Sequence, residues 1–296
     1  MSITVLPSTA YITSHELISG GVMGATRKAS IEWDDGSLRK CYVKVYPKQD
    51  RIRKIFNELT GFLIGNALGI FQPDSAALMP LNQLFYADYG LNTANEESET
   101  WAWVTSECGQ SVSGIFQLNK SQASLERNIE DTKNKYINAI SLICDQKNIP
   151  QIIAFDDFIA NDDRNIGNLV MTGNGNMGVI DHGEILGRID WIKNLTQLDK
   201  SQFFFNKLLY ILDQHNAIKQ QTTFTVKSKA VEAIGEHEQA FISIQKQLLT
   251  WWKNILEISD IPETDHPRYL DHLFDFLHYR CQQPSALFAN RIGLVA

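Results

Sequence analysis

The sequence predicts an α+β fold in two lobes, strand-rich toward the N-terminus and mainly helical toward the C-terminus. Three observations carry this. Residues 1 to 48 read as strands and turns, the apolar spacing from about Thr196 onward is helical nearly throughout, and one polar hairpin interrupts the helical part.

Taken in order, "KASIEWDDGSLRKCYVKVYP" sets an Asp-Gly turn (Asp35, Gly36) between two β-favouring runs, which predicts a hairpin. "RIRKIFNELTGFLIGNALGI" then carries Ile52, Ile55, Phe56, Leu59, Phe62 and Leu63 at helical spacing, with Gly69 and Pro73 placed to stop the helix. The acidic loop "ANEESET" leads into "WAWVTSE", a short aromatic strand. A helical pattern runs from about Ser121 to Ile143. After the polar stretch "FDDFIANDDRNIGNLV", the run "LVMTGNGNMGVID" joins two short apolar segments through a Gly/Asn turn, a second hairpin. The expected division is an N-lobe over 1–109 and a C-lobe over 110–296.

Composition bounds the function classes. The chain has 296 residues, 44% of them hydrophobic and 21% charged, ordinary globular values that leave room for a sizeable core. A net charge of −7 argues against a nucleic-acid partner, which calls for a basic footprint. Cys41, Cys108, Cys144 and Cys281 are far apart with no CxxC pair, which fits neither a zinc site nor a disulfide framework and points to reduced thiols in the cytoplasm. The opening "MSITVLPSTAYITSHEL" lacks the basic and apolar regions of a signal peptide, and no stretch has the length of a membrane span.

The chemistry-bearing constellation is the pair of polar segments around the second hairpin. Asp163 and Asn168 are five residues apart, and Asp181 ends the apolar run "MGVID" just before His182 and Gly183. Phosphoryl transfer needs an aspartate to orient and deprotonate an attacking hydroxyl. It also needs an amide oxygen and a second carboxylate to hold magnesium against nucleotide phosphates. A hairpin brings Asn168, before one strand, near Asp181, after the other. The competing reading is a polar turn, since Asn, Asp and Gly are common in loops. A calcium loop is disfavoured: counted from Asp157 or Asp162, position twelve is Asn168 or Gly173, not glutamate.

The N-terminal part offers the remaining pieces in order. "SGGVMGA" (19–25), with Gly20, Gly21 and Gly24, is a small-residue turn suited to backbone approach to phosphate, though it does not fit G-x-G-x-x-G and reads equally as an ordinary turn. In "CYVKVY" the pleat puts Cys41, Val43 and Val45 on one face and Tyr42, Lys44 and Tyr46 on the other. Lys44 suits a strand lysine that meets phosphates; Lys40 and Lys48 on the same face suit a solvated one. Glu58 lies at the edge of the next helix's apolar stripe, within reach of a strand lysine or on the surface. "WVTSECGQS" reads as a strand entering a lobe-connecting hinge, where Glu107 and Cys108 offer backbone groups to an adenine.

On "ISGGVMGATRKA", "YVKVYP", "NELTGFLIGNALGI", "FDDFIANDDRNIGN" and "GVIDHGEIL", spanning roughly residues 15 to 190, the sequence resembles the HipA-like kinases, in their compact, kinase-domain-only form. The resemblance implies a bilobal protein-kinase-like fold and ATP and Mg2+ as cofactors. It also implies Asp163 as catalytic base, Asn168 and Asp181 as metal ligands, and Lys44, steadied by Glu58, on the nucleotide phosphates. Asn165 stands where many relatives have histidine, and His182 where ordinary kinases have phenylalanine. The implied activity is transfer to a serine or threonine of a protein, itself included, in a toxin-antitoxin setting that allows a regulatory protein partner. A small-molecule or lipid-headgroup kinase and a non-catalytic nucleotide-binding scaffold are the alternatives.

Overall fold

The computed structural model describes residues 3–18, 25–91, 99–118, 129–173, 175–218 and 222–294. The chain forms two compact units, one of Met1–Leu59 with Pro73–Cys108 and one of Thr60–Gln72 with Gly109–Ala296. The fold is α+β, with the strands concentrated in the first unit and the helices in the second, as the two periodicities predict.

The first unit is a six-stranded sheet. Its strands are β1 (Ile3–Val5), β2 (Tyr11–Leu17), β3 (Ala25–Glu32), β4 (Leu38–Val45), β5 (Ala76–Pro80) and β6 (Trp101–Ser106). They lie in the order β1-β5-β6-β4-β3-β2, antiparallel except for the β1–β5 pair. The Asp35-Gly36 turn joins β3 to β4; Gly36 takes φ +75, and Trp33 and Ser37 close it through a 2.9 Å backbone bond. Cys41, Val43 and Val45 are buried in one core with Ile31, Ala77, Met79 and Val104, so the period-two reading of β4 holds. On the opposite face Lys40 is exposed while Tyr42 and Lys44 are half-buried.

Helix α1 (Lys48–Ala67) follows, its residues to Leu59 counted with the first unit and those from Thr60 with the second. Of the six stripe residues Ile55, Phe56, Leu59, Phe62 and Leu63 are buried and Ile52 is half-buried, while Arg51, Arg53, Lys54, Asn57 and Glu58 are buried too, so the burial extends beyond the stripe. It ends where Gly69 adopts φ +67 and Ile70 donates back to the Gly65 carbonyl.

In the second unit a small sheet, β7 (Gly109–Ser111), β8 (Leu169–Thr172) and β9 (Met177–Val179), pairs antiparallel in that order. The helices are α2 (Val112–Ile115), α3 (Ile129–Cys144), α4 (Ile149–Phe158), α5 (Lys207–Ile218), α6 (Phe224–Ala233), α7 (His237–Glu257), α8 (His266–Cys281) and α9 (Ser285–Arg291). The first part of the helix expected from Ser121 lies outside the described residues. Helix α4 is buried along nearly its whole length, with Ile152, Ile153, Phe155 and Phe158 inaccessible, so the loop that leaves it starts from a fixed base. On its flank Arg280 of α8 donates to the Phe158 carbonyl at 3.0 Å, and Arg291 of α9 pairs with Asp157 at 2.5 Å. Asp157 therefore binds the C-terminal helices to α4. The four cysteines are free thiols, and among the described residues no helix is long and apolar enough to cross a membrane.

Candidate active site

In the second unit the polar loop between α4 and β8 is built around one buried ion pair. Asp156 and Arg164 both have fully buried side chains. Arg164 donates from Nη2 and Nε to the carboxylate at 2.9 and 3.2 Å, in the forked geometry guanidinium favours. Complete burial pushes the Asp156 carboxyl up, and the Arg164 charge and hydrogen bonds, with that of Asn161, pull the other way. The third arm of Arg164, Nη1, donates to the Ile180 carbonyl at 2.7 Å, which ties the loop to the residue before Asp181.

Asparagines set the rest of the loop. Asn161 donates to Asp156 Oδ1 at 2.9 Å and accepts the Asp163 amide at 3.0 Å. Asn165 accepts from the Gly167 amide at 2.8 Å and donates to the Asp163 carbonyl at 3.1 Å, so this asparagine braces the loop locally. Asn168 also donates to that carbonyl at 3.1 Å, which turns its amide oxygen away from the contact. The Ile180 amide donates to the Asn168 carbonyl at 3.1 Å and closes the β8–β9 hairpin. Asn168 and Asp181 thus stand at the two ends of one closed hairpin. Asp181 is exposed and held at φ +64, a left-handed backbone that is uncommon for aspartate.

His182 turns the other way. It is buried, meets Arg164 at 3.5 Å through Nδ1, contacts Gln72 Oε1 at 3.3 Å through Nε2, and stands edge-on to Phe155. Gly61 on α1 makes room for it: a Cβ there would lie 2.5 Å from the His182 Cβ, so only glycine permits this approach.

Asp163 is partly exposed, and its Oδ1 accepts from two cations, Arg188 Nη2 at 2.8 Å and Lys207 Nζ at 3.1 Å. Arg188 also donates from Nε to Asp162 at 2.5 Å. Asp162 is thus an ion-pair partner as well. Burial pushes its carboxyl up, opposed by Arg188. Burial disfavours the Arg188 charge, and the Asp162 and Asp163 carboxylates more than offset that, so its pKa rises. Arg188 and Lys207 lie 25 and 44 residues beyond Asp163, and neither carries a local signal that sequence reading could use.

In the first unit Lys44 donates to Glu58 Oε1 at 2.6 Å, and the Tyr46 hydroxyl donates to the same oxygen at 2.7 Å. The Glu58 side chain is almost fully buried, so this pair is screened from solvent. The Glu107 amide donates to the Lys40 carbonyl at 3.0 Å, and its side chain pairs with Lys28 at 3.1 Å, so both groups are engaged within the first unit. Burial raises the Cys108 thiol to about 11, which keeps it protonated near neutral pH. Gly20, Gly21 and Gly24 lie outside the described residues.

The class so defined is an α+β protein with a buried lysine–glutamate pair in one unit and an aspartate/asparagine loop closed onto a hairpin in the other. No family model and no curated protein matches the chain. Among solved structures it is similar to HipA of Shewanella oneidensis MR-1, determined in complex with HipB and operator DNA. That likeness has 14% identity and a TM-score of 0.47, over 99% of this chain and 70% of the other. A likeness at that level does not extend to activity, substrate or partner.

Proposed function

We propose that this chain is an ATP- and magnesium-dependent phosphotransferase that moves the γ-phosphoryl group to a serine or threonine hydroxyl of a protein, in the manner of HipA-like kinases. The observation that carries the reading is the closed hairpin: Asn168 and Asp181 stand at its two ends, and Asn168 is hydrogen-bonded to the backbone of Asp163. The Lys44–Glu58 pair supports it independently.

The donor set suits magnesium. An amide oxygen and one carboxylate are hard ligands. Among the described residues no cluster of three His, Cys, Asp or Glu competes as a metal cage. Magnesium is typically held by one or two carboxylates and completes its shell with water and phosphate oxygens. Asn168 and Asp181 would hold it, and when bound it would neutralise charge on those phosphate oxygens. Asp163 would accept the proton of the attacking hydroxyl through its carboxylate. Lys44 would hold the phosphates, with Glu58 and Tyr46 restricting where its ammonium can go. The Glu107 carbonyl and the Cys108 backbone would face the adenine.

The test is transfer from γ-labelled ATP, with magnesium, to dephosphorylated casein and to the chain itself. Asp163→Ala is expected to lower transfer by about 10²- to 10⁴-fold. Nucleotide binding by the wild type with no transfer to casein, to the chain or to water would sink the reading in favour of a scaffold.

A further inference from the structure

Two cations on one oxygen of a partly exposed aspartate is an arrangement that stability alone does not explain. Exposed ion pairs contribute little to folding, and the Arg188 side chain is 45% exposed. Yet the backbone goes to unusual lengths to deliver it. Leu186, Gly187 and Arg188 all adopt left-handed conformations, φ +59, +65 and +58, a run that L-residues avoid. That run is held in place: the Leu186 and Gly187 amides donate to the Ile159 and Ala160 carbonyls, at 3.0 and 2.8 Å, where α4 gives way to the loop.

Lys207 arrives from a second fixed segment. Asn206 donates to the Ile153 carbonyl at 2.9 Å and accepts from the Leu209 amide at 3.0 Å, which anchors the start of α5 to α4. The two segments also meet. The buried Phe204 ring occupies the space a side chain at Gly187 would need, with a Cβ there falling 2.0 Å from Phe204 Cε1. Both cations are therefore referred to the same helix that carries Asp156, and to each other. Both bonds fall on Oδ1, which restrains that oxygen and leaves Oδ2 as the oxygen for an incoming hydroxyl.

We propose that Arg188 and Lys207 are positioning residues, a two-cation clamp that fixes the Asp163 carboxylate for proton acceptance; this rests on the phosphotransferase reading above. A clamp of this kind acts on the reaction step and not on nucleotide binding, because misplacing a reacting group by about an ångström costs on the order of a hundredfold in rate.

The experiment measures kcat and the KM for ATP of the full-length chain, with casein as acceptor, beside thermal unfolding of each variant. Lys207→Met and Arg188→Met are each expected to lower kcat by about tenfold to a hundredfold with the KM for ATP within about twofold of wild type. Lys207→Arg, which keeps the charge, is expected to recover most of the loss and controls for any folding defect in the methionine variant. Unchanged kcat in both methionine variants overturns the clamp, as does a loss carried by KM or one that Lys207→Arg fails to repair. Absence of turnover in the wild type is a different failure, which removes the phosphotransferase reading and the clamp with it.

Discussion

Asp156 and Asp163 are seven residues apart, and each accepts hydrogen bonds from an arginine, yet their surroundings are opposites. Asp156 is fully buried, and Arg164 meets both of its oxygens. Asp163 keeps 29% of its side chain exposed, and its two cationic partners crowd onto one oxygen. The difference separates a pair that holds the loop from one that, on the function proposed above, holds the reacting group. A buried charge with a forked partner cannot be removed cheaply, whereas an exposed one tolerates loss of a partner and remains accessible to a substrate.

The largest expected effect breaks the first of these. Asp156→Ala leaves the Arg164 charge buried and uncompensated, which costs about 3–5 kcal/mol and lowers the urea midpoint accordingly. Asp163→Ala, which should abolish most transfer, is expected to leave that midpoint nearly unchanged. Equal destabilisation by the two substitutions would erase the distinction.

The pH dependence adds a buried group packed against the same helix, α4. His237 stacks on Phe158 with ring centroids 4.9 Å apart and is pushed down to about 3, first by burial and then by the nearby Arg280 cation. Its unfolded value is the ordinary 6.5, so below that pH the unfolded chain takes up a proton that the folded chain refuses. The stability this group contributes is present above pH 6.5 and is lost as pH falls toward about 3. The slope is at most about 1.4 kcal/mol per pH unit. Urea midpoints followed from neutral to acid pH should fall, and His237→Phe should flatten that fall.

The smallest effect concerns the exposed pair. Arg188→Met is expected to change folding stability by no more than about 1 kcal/mol, whatever it does to turnover. A larger loss by chemical denaturation would move Arg188 from the reactive side of the comparison to the structural one.

Much of the architecture was legible because it is local. The pleat of β4, the Asp35-Gly36 turn, the stripe of α1 and the β8–β9 hairpin each follow from a few neighbouring residues, and each is present in the structure. The parallel β1–β5 pair was not legible, since it joins strands more than seventy residues apart with no turn to announce it. Lys44 illustrates the limit within a single strand. Periodicity put it on one face with Lys40 and Lys48, and only packing decided that Lys44 is drawn into a pair with the buried Glu58.

The sequence by itself determined the β3–β4 and β8–β9 hairpins, α1 and the helical character of the C-terminal part, and it placed Asp163, Asn168 and Asp181 at the ends of a loop and a hairpin. Short-range periodicity and turn chemistry are sufficient for that. Only the tertiary structure decided that Asp156 belongs to Arg164, that His182 needs the missing side chain of Gly61, and that Asp163 shares one oxygen between Arg188 and Lys207. Those pairings join residues brought together by packing. Desolvation and strained backbone set their energies, and neither leaves a periodic trace in the chain.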